Sequence, residues 1–422
     1  MRIGLVLAAS DGAWIGLQLA RAGHEVFYTF ADDHYAQCLS GLLPEPRAIP
    51  DAESLDLVVF DFSGYGKVAD ELRPQTPTIG SSAFSDQLEL DRVAGIRFME
   101  QCGIKVPPWE EFDNPADALS FIKKTKKRYV LKPSGSKECA ATYVSQDSDD
   151  MVKYIELLFK RAKIEKFVLQ EFVQGTEVST EMWVSRDSYH AVNHTIELKK
   201  LLAGDLGPNC GCAGSAVWMP VQDTKLFARG LKNAVAPLQG VGFAGPIDLN
   251  AIVTESEVYG LEWTPRFGYD ATALLMRLLP MEFGEFLYRT AIGDNVNVGP
   301  SRAPFAASIR LYISPYPLEA RHKSILQEGV PIDGLTPKEL DTFYVNDVRL
   351  RANSDEELET AGTSGFIGHP IGLGQTIIQA FEEVKASIKR LKIPNLAWRN
   401  DVPEKIAKRY AELERGGWLR PA

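Results

Sequence analysis

Two acidic side chains, Asp248 and Glu262, stand in a stretch that is otherwise apolar. The segments IDLNAIV and VYGLEW flank the polar turn TESE, a pattern typical of two antiparallel strands joined as a hairpin. A carboxylate that faces a core is costly unless it is paired, hydrogen-bonded or bound to a cation. Two carboxylates side by side on neighbouring strands would repel each other unless a cation lay between them. The stretch therefore predicts either a metal site or two side chains that point to solvent.

A lysine and a glycine-serine loop offer a place for phosphate groups. Lys132 ends a predicted strand and is followed by Pro133 and then by Ser134, Gly135 and Ser136. An ammonium group at that position can reach nucleotide phosphates, while the backbone N–H groups of the loop cover them. The pattern is weak by itself, because a lysine at a strand end is usually solvated.

The segment QEFVQGTEVS could bind the remainder of a nucleotide. Glu171, Phe172 and Val173 end a predicted strand, where their backbone groups could pair with the edge of an adenine. Glu177 follows after a turn, at a separation suited to ribose hydroxyls. In combination with Lys132, this segment favours ATP as ligand, with Mg²⁺ between the phosphates and the two carboxylates of the hairpin.

The order of these motifs resembles the ATP-grasp superfamily and, within it, the phosphoribosylamine–glycine ligase family. GDLGPNCGCAG at 204–214 is similar to that family's GD-x-GPN-x-G-x-x-G loop, and GLEWTPRFG at 260–268 is similar to its IEFNxRFGD strand. DRVAGIRFMEQCGI at 91–104 resembles its SKxFxKxFMxxxGI helix. The resemblance runs over nearly the whole chain. It implies a fold of α/β and α+β units, with an N-terminal Rossmann-like domain, an ATP-grasp body and a small β-rich C-terminal domain.

The resemblance also implies a role for each matching residue. ATP would be bound by Arg92, Lys132, Ser134, Gly135, Ser136, Glu171, Phe172, Val173 and Glu177. Mg²⁺ would be bound by Asp248, Glu262 and Thr264, and the catalytic groups would be Arg266, Asp205 and Asn209. In the implied reaction ATP converts a carboxylate to an acyl phosphate. An amine then attacks the acyl phosphate to form an amide, and ADP and phosphate are released.

Departures from the family pattern concentrate where the second substrate would bind. The family's G-x-GGREHA loop reads AASDGAWIG at 8–16, without arginine or histidine. The asparagine of the metal strand is replaced by Thr264, and RFGDPE reads RFGYDA, which introduces Tyr269 and Asp270. These changes favour a ligase that keeps ATP and Mg²⁺ and joins an amino acid, such as glycine, to a different amine or hydroxyl acceptor. Three alternatives stay open: a true phosphoribosylamine–glycine ligase of purine synthesis, a ligase for a modified nucleotide or base, and a degenerate nucleotide-binding scaffold.

The elements that position these residues predict five regions. Residues 1–86 alternate strand and helix patterns, which is typical of a parallel Rossmann-like sheet. Residues 87–128 form a helical linker, 129–185 a small lid subdomain, 186–300 a large subdomain with the metal site, and 301–422 a C-terminal domain. The segment 203–215 holds four glycines and a proline, and it predicts a flexible loop that could serve as a lid together with the glycine-serine loop.

Composition and charge exclude some classes of function. The net charge is −10 and no long cluster of Lys and Arg is present, so no strong footprint for duplex nucleic acid is visible. No apolar run approaches the ~20 residues of a membrane helix. The five cysteines are scattered without a CxxC pair, which indicates a reducing compartment. The sequence therefore predicts a cytoplasmic protein, monomeric or homodimeric, whose partners are small molecules and not a membrane.

Overall fold

The computed structural model describes residues 1–43, 49–134, 142–161, 166–317 and 327–422. Its helices and sheets alternate in the N-terminal part and are mixed elsewhere, as the predicted combination of α/β and α+β units requires. In the described ranges, no helix is both long and apolar enough to cross a membrane.

The N-terminal unit is a four-stranded parallel sheet in the order β2-β1-β3-β4. Its elements are β1 (Arg2–Leu7), α1 (Ala13–Arg21), β2 (Glu25–Phe30), β3 (Leu57–Phe60), α2 (Gly66–Leu72) and β4 (Thr78–Ile79). The strands RIGLVL and LVVF are nearly continuous apolar runs, because a parallel sheet is covered on both faces. The parallel sheet predicted for this region is confirmed.

A helical segment and a small antiparallel sheet follow. The elements are α3 (Ala83–Leu90), α4 (Arg92–Gln101), β5 (Trp109–Phe112), α5 (Pro115–Thr125), β6 (Tyr129–Pro133), β7 (Tyr143–Val144), α6 (Ser148–Arg161) and β8 (Phe167–Glu171). Asp91 caps α4 by accepting hydrogen bonds from the N–H groups of Val93 and Ala94, which fixes Arg92 in the first turn. The sheet has the order β5-β8-β6-β7, so it includes a strand from the region predicted as a linker.

The large sheet supplies the floor of the site. Its first elements are β9 (Thr176–Val184), β10 (Tyr189–Leu202), β11 (Leu206–Trp218), α7 (Lys225–Arg229), α8 (Val235–Gly240), β12 (Gly245–Val253), β13 (Val258–Thr264), α9 (Tyr269–Leu278) and α10 (Phe283–Ile292). The predicted hairpin around TESE is present as β12 and β13, which pair in antiparallel fashion. Strand β9 pairs with both β10 and β12, so it lies in the large sheet and not in the lid region to which 129–185 was assigned.

The segment 203–215 is not a loop, which corrects the prediction made from its glycines. Only Ala203–Asp205 form a turn, and β11 then runs antiparallel to β10 with two shifts of register. Gly204, Gly207 and Gly211 adopt φ angles of 74°, 75° and 77°, which side chains disfavour. The glycines therefore allow a bulged strand, where the sequence pattern had suggested an unstructured segment.

The C-terminal part extends the same sheet and adds a separate sheet of three strands, Glu328–Ile332, Leu358–Ala361 and Val348–Leu350 in that order. Its elements are β14 (Phe305–Ile309), β15 (Leu311–Ile313), β16 (Glu328–Ile332), β17 (Phe343–Val345), β18 (Val348–Leu350), β19 (Leu358–Ala361), β20 (Phe366–Gly374), α11 (Ile377–Arg390), β21 (Leu396–Trp398) and α12 (Val402–Arg415). Strand β14 pairs with β11 and β20 pairs with β14, so the sheet crosses the boundary predicted at residue 300. One buried cluster joins the N-terminal sheet, the large sheet and these strands.

Candidate active site

A cavity of about 810 Å³ lies between the small sheet and the large sheet. Twelve of the predicted site residues line it: Arg92, Lys132, Glu171, Phe172, Val173, Glu177, Asp205, Asn209, Asp248, Glu262, Thr264 and Arg266. Ser134 lies two residues after Lys132, and the N–H of Ser134 donates to the carbonyl of Lys166 at 3.0 Å. Gly135 and Ser136 lie outside the described residues. The structure thus brings together residues that are far apart in the chain, from Arg92 to Arg266.

The register of β12 and β13 changes the expected pairing of the two carboxylates. Glu262 lies directly opposite Asn250, whereas Asp248 lies directly opposite Thr264. Directly opposed residues point to the same face of a sheet, and all four line the cavity. Asp248 and Glu262 are therefore diagonal neighbours on one face of the hairpin, offset by two residues, and are not directly opposed. The cross-strand neighbour of Glu262 is an amide that the sequence interpretation missed.

Asn250 lines the cavity and carries a buried oxygen without a hydrogen-bond partner. Its side chain is 5% exposed, and its Nδ2 donates to Ser179 Oγ at 3.2 Å, while its Oδ1 has no hydrogen-bond partner. A buried oxygen without a donor is costly, and amide oxygens are good ligands for hard cations. Asn250 and Glu262 together therefore fit a Mg²⁺ ion. The signal was present in IDLNAIV, because Asn250 alternates with Asp248 and shares its face.

In the described ranges, no larger set of metal ligands surrounds this position. In the part of the chain that the structure describes, no group of three or more His, Cys, Asp or Glu side chains is arranged to hold a metal ion. Mg²⁺ usually takes one or two protein ligands and completes its shell with phosphate oxygens and water. The pair formed by Asn250 and Glu262 suits that mode of binding.

Three cationic side chains converge on Glu262. Arg92 Nη1 lies 2.9 Å from Glu262 Oε2, and Lys199 Nζ lies 3.4 Å from Oε1. Lys199 Nζ also lies 3.3 Å from Glu177 Oε1, which links the predicted metal and ribose positions. Burial alone would raise the pKa of Glu262, but Lys199, Arg92 and Lys132 hold it well below its usual range. Lys199, to which the sequence interpretation gave no role, is thus a central cation of the site.

Lys132 is buried where a phosphate-binding group is required. It is 6% exposed near the end of β6, and its Nζ donates to the carbonyl of Leu261 at 2.9 Å. Burial lowers the pKa of Lys132 to about 8, although nearby Glu262 works in the opposite direction. The side chain carries no carboxylate partner among the ion pairs of the described residues, so its charge is available to an incoming phosphate.

The segment after β8 already uses some of the backbone groups predicted to hold adenine. The N–H of Glu171 donates to the carbonyl of Pro108 at 2.8 Å, and the N–H of Phe172 donates to the carbonyl of Arg128 at 2.9 Å. The Arg128 guanidinium also lies 3.5 Å from the centre of the Phe172 ring. Among the described residues, no backbone carbonyl accepts from the N–H of Val173, so this N–H is a donor that the segment can offer to an adenine.

The residues predicted to be catalytic are held by contacts with distant parts of the chain. Asp205 pairs with Arg399 at 2.6 Å and with Lys405 at 2.5 Å. Asn209 is exposed and lies opposite Lys200 in the ladder of β10 and β11. These contacts fix the start of β11 against the C-terminal part of the chain, while Asn209 remains accessible at the cavity.

Arginine side chains at the far end of the cavity are already neutralised. Arg266 Nη2 lies 3.0 Å from Glu89 Oε1, and Arg310 forms an ion pair with Asp270. His369 Nε2 also lies 2.8 Å from Asp270 Oδ1. Burial would raise the pKa of Asp270, but Arg310 and His369 hold it well below its usual range. Each of these arginines is therefore matched by a carboxylate of the chain itself.

Two further carboxylates approach the same end from the N-terminal sheet. Asp11 lines the cavity, and its Oδ1 accepts from Asn346 Nδ2 at 3.2 Å. Asp61 is 1% exposed after β3, and its Oδ1 accepts from the N–H of Ala8 at 3.0 Å. Burial raises the pKa of Asp61 to about 8. This end of the cavity thus has acidic side chains where the loop at 8–16 contains no cation.

The chain has the fold of ATP-grasp proteins. Residues 95–272 match the family model described as phosphoribosylglycinamide synthetase, ATP-grasp (A) domain. The phosphoribosylamine–glycine ligase of Thermotoga maritima is 26% identical over 329 residues, covering 75% of this chain and 77% of that enzyme. The enzyme of the same name from Streptococcus suis is 22% identical over 344 residues, 78% of each chain.

Solved structures share the fold over nearly the full length. The crystal structure of phosphoribosylamine–glycine ligase from Thermotoga maritima has a TM-score of 0.74 at 21% identity, covering 95% of this chain and 100% of its own. The biotin carboxylase domain of Hydrogenobacter thermophilus 2-oxoglutarate carboxylase, solved with MgADP, ADP and bicarbonate, has a TM-score of 0.65 at 11% identity, covering 99% and 95%. The predicted resemblance, the ATP-grasp fold and the class of ATP-dependent ligase are thereby confirmed.

Proposed function

We propose that the protein is an ADP-forming ligase that joins an amino acid, such as glycine, to an amine or hydroxyl acceptor through an acyl phosphate. The observation that carries the proposal is the convergence of Arg92, Lys132 and Lys199 on Glu262, directly opposite the unsatisfied oxygen of Asn250. Cations arranged around a metal-binding carboxylate suit phosphoryl transfer, in which positioning and charge neutralisation dominate catalysis.

The nucleotide end of the cavity supports ATP as the phosphoryl donor. Lys132 offers a buried cation to the phosphates, Val173 offers a backbone donor to adenine, and Glu177 offers a carboxylate to the ribose. Glu262 and Asn250 would hold Mg²⁺, which supplies neutralisation of charge on the phosphates when it is bound. Lys199 bridges Glu177 and Glu262 and so keeps the ribose and metal positions in a fixed relation.

Arg266 is placed to receive the carboxylate that is activated. It follows the metal strand β13 by two residues and lines the same cavity. The ion pair with Glu89 orients the guanidinium. A substrate carboxylate that replaced Glu89 at one of the guanidinium N–H groups would keep the positive charge of Arg266 neutralised. Attack on the acyl phosphate by an amine forms the C–N bond of the amide and breaks the bond between the carbonyl carbon and the phosphate oxygen. Phosphate leaves with that oxygen and the electron pair, and the nitrogen releases a proton.

The acceptor end supports an acceptor other than phosphoribosylamine. Arg266 and Arg310 are both neutralised by carboxylates of the chain, and Asp11 faces the cavity between them and the N-terminal sheet. A phosphate group on the acceptor would meet paired arginines and an additional acidic side chain. A small-molecule amine without a phosphate group is better suited to this surface.

The second candidate is phosphoribosylamine–glycine ligase itself. It is favoured by the names of the relatives that align with more than three quarters of their own length. The two candidates share ATP, Mg²⁺ and an amino acid, and they differ in the acceptor alone.

An assay of ADP release across the common amino acids, with hydroxylamine as a general amine, tests the proposal. Hydroxylamine attacks acyl phosphates directly and gives a hydroxamate, so the natural acceptor need not be known. We expect ADP release that depends on one amino acid and is lost in Glu262→Ala. A nucleotide-binding scaffold would release no ADP in either protein. Rapid turnover of glycine with phosphoribosylamine, generated from ribose 5-phosphate and ammonia, would establish the second candidate in place of the first.

A further inference from the structure

Strands β9 and β10 separate next to the nucleotide end of the cavity. Their antiparallel ladder ends at the pair of Ser179 with Thr195, although both strands continue beyond it. From there β9 stays paired with β12, with Glu177 opposite Ile252, and β10 continues beside β11. The two strands therefore diverge between Glu177 and the segment of β10 that carries Lys199.

Arg409 reaches this divergence from the C-terminal helix α12. Its Nη1 donates to the carbonyl of Glu197 on β10 at 3.1 Å, and the residue lines the cavity. One helical turn further along α12, Glu412 Oε2 accepts from Thr176 Oγ1 on β9 at 2.8 Å. Helix α12 is thus bonded to both strands where they separate, which places Arg409 beside the start of β9 and Glu177.

The guanidinium of Arg409 has donors left for a ligand. Among the described residues, it makes one hydrogen bond, to the carbonyl of Glu197, and no ion pair. Lys199, the other cation at this divergence, is already bonded to Glu177 and Glu262. A guanidinium carries several N–H donors, so an arginine that lines the cavity with a single backbone partner can donate to a bound molecule.

The neighbouring acceptor is Glu177, the carboxylate proposed to hold the ribose. Ribose hydroxyls both donate and accept hydrogen bonds, so a carboxylate alone satisfies their hydrogen atoms and leaves their oxygen lone pairs without a protein donor. Arg409 supplies that donor. A phosphate group is less suited to this position, because Glu177 on β9 and Glu197 on β10 both bring carboxylates to the cavity.

We propose that Arg409 donates to a ribose hydroxyl of the bound nucleotide, with Glu177 as the acceptor for the ribose. This inference rests on the proposed ligase function, in which ATP occupies the cavity, and adds a specificity-determining residue from helix α12. A nucleotide that lacks the hydroxyl would leave the guanidinium donor unpaired beside the sugar, so helix α12 takes a direct part in selecting ribonucleotides over deoxynucleotides.

Binding of ADP, 2′-deoxy-ADP and 3′-deoxy-ADP, measured by calorimetry with Mg²⁺, tests this assignment. We expect the wild-type protein to bind ADP about 10- to 100-fold more tightly than the weaker of the two deoxy analogues. Arg409→Met should lose about tenfold of that preference by binding ADP more weakly, while its affinity for that analogue stays within about threefold of the wild-type value. Arg415→Met, at the exposed end of the same helix, is the matched control and should retain the preference.

The ratio of the affinities separates ribose recognition from a structural role. An equal loss of affinity for ADP and both analogues in Arg409→Met would mean that Arg409 only holds β9 and β10 in place, and it would overturn the inference. Arg409→Gln provides the same comparison if Arg409→Met does not fold.

Two results with the wild-type protein are decisive on their own. Equal affinities for ADP and both deoxy analogues would overturn the role of Arg409, while the ligase function would stand because ADP is still bound. A wild-type protein that binds none of the three nucleotides would overturn the proposed function and the inference together.

Discussion

Asn250 lies directly across the β12–β13 ladder from Glu262, and its Oδ1 is buried without a donor. The relationship separates the floor of the cavity into two cross-strand pairs. Asn250 and Glu262 form the pair suited to Mg²⁺, and Asp248 and Thr264 form the pair beside it. The sequence interpretation had combined members of both into one metal site.

Substitution of Glu262 tests the position of the metal and its cations. Glu262→Gln removes the charge that Arg92 and Lys199 surround, so these cations would repel one another and the Mg²⁺ ligand would be weakened. We expect amino-acid-dependent ADP release to fall at least about 100-fold. Glu255→Gln changes the same residue type at the exposed turn of the hairpin and should retain activity. Activity of Glu262→Gln within a few fold of the control would contradict the assignment.

Substitution of Asn250 tests the second ligand. Asn250→Ala removes the unpartnered oxygen, and we expect the Mg²⁺ concentration needed for half-maximal ADP binding to rise about tenfold. Thr264→Ala removes the hydroxyl that the sequence assigned to the metal, and we expect little change, because Thr264 lies opposite Asp248 and not opposite Glu262. Calorimetric titration of ADP at several Mg²⁺ concentrations gives both values. A larger rise for Thr264→Ala than for Asn250→Ala would support Thr264 as the metal ligand, as the sequence predicted.

The lowered pKa of Lys132 predicts a pH dependence of nucleotide binding. The side chain is protonated below its pKa of about 8 and loses its charge above it. ATP affinity should therefore be constant below about pH 7 and should weaken by up to about tenfold per pH unit above about pH 8. Lys132→Arg keeps its charge throughout and should remove this dependence. An identical pH profile for both proteins would show that another group is responsible.

Asp61 predicts a pH dependence of stability. Burial raises its pKa in the folded protein from 3.8 to about 8, so the folded state binds a proton that the unfolded state has released between these values. The stabilisation of the folded state by this proton is present in full below pH 3.8 and is lost as the pH rises toward about 8. Asp61→Asn retains an acceptor for the N–H of Ala8 and should flatten the decline of Tm between about pH 5 and pH 8. Thermal unfolding of both proteins across that range measures the difference, and parallel declines would contradict the raised pKa.

Local patterns were sufficient for much of the fold. The alternation of strand and helix patterns in residues 1–86 predicted a parallel sheet, and the apolar segments around TESE predicted the β12–β13 hairpin. The glycine-rich segment 203–215 could not be assigned in this way, because composition does not distinguish an irregular loop from a strand that bulges at glycines with positive φ.

The site could be located from the sequence, whereas its pairings could not. Lys132, Glu177 and Glu262 were found through their motifs, and all three line the cavity. The role of Asn250 depends on the register of two strands, which a hydrophobic pattern does not fix to a single residue. The ion pairs of Arg266 with Glu89 and of Asp205 with Arg399 join segments that are far apart in the chain, so no local pattern could indicate them.

Transfer of isotope from the amino acid to phosphate tests the central claim most directly. Glycine, or the amino acid that best supports ADP release, is labelled with ¹⁸O in both carboxylate oxygens and turned over with ATP, Mg²⁺ and hydroxylamine. Formation of an acyl phosphate moves one labelled oxygen into the inorganic phosphate for each ADP released. We predict one ¹⁸O atom per phosphate, measured by mass spectrometry, and none in Glu262→Gln. Unlabelled phosphate from a reaction that nonetheless consumes the amino acid, or release of AMP, would contradict the account.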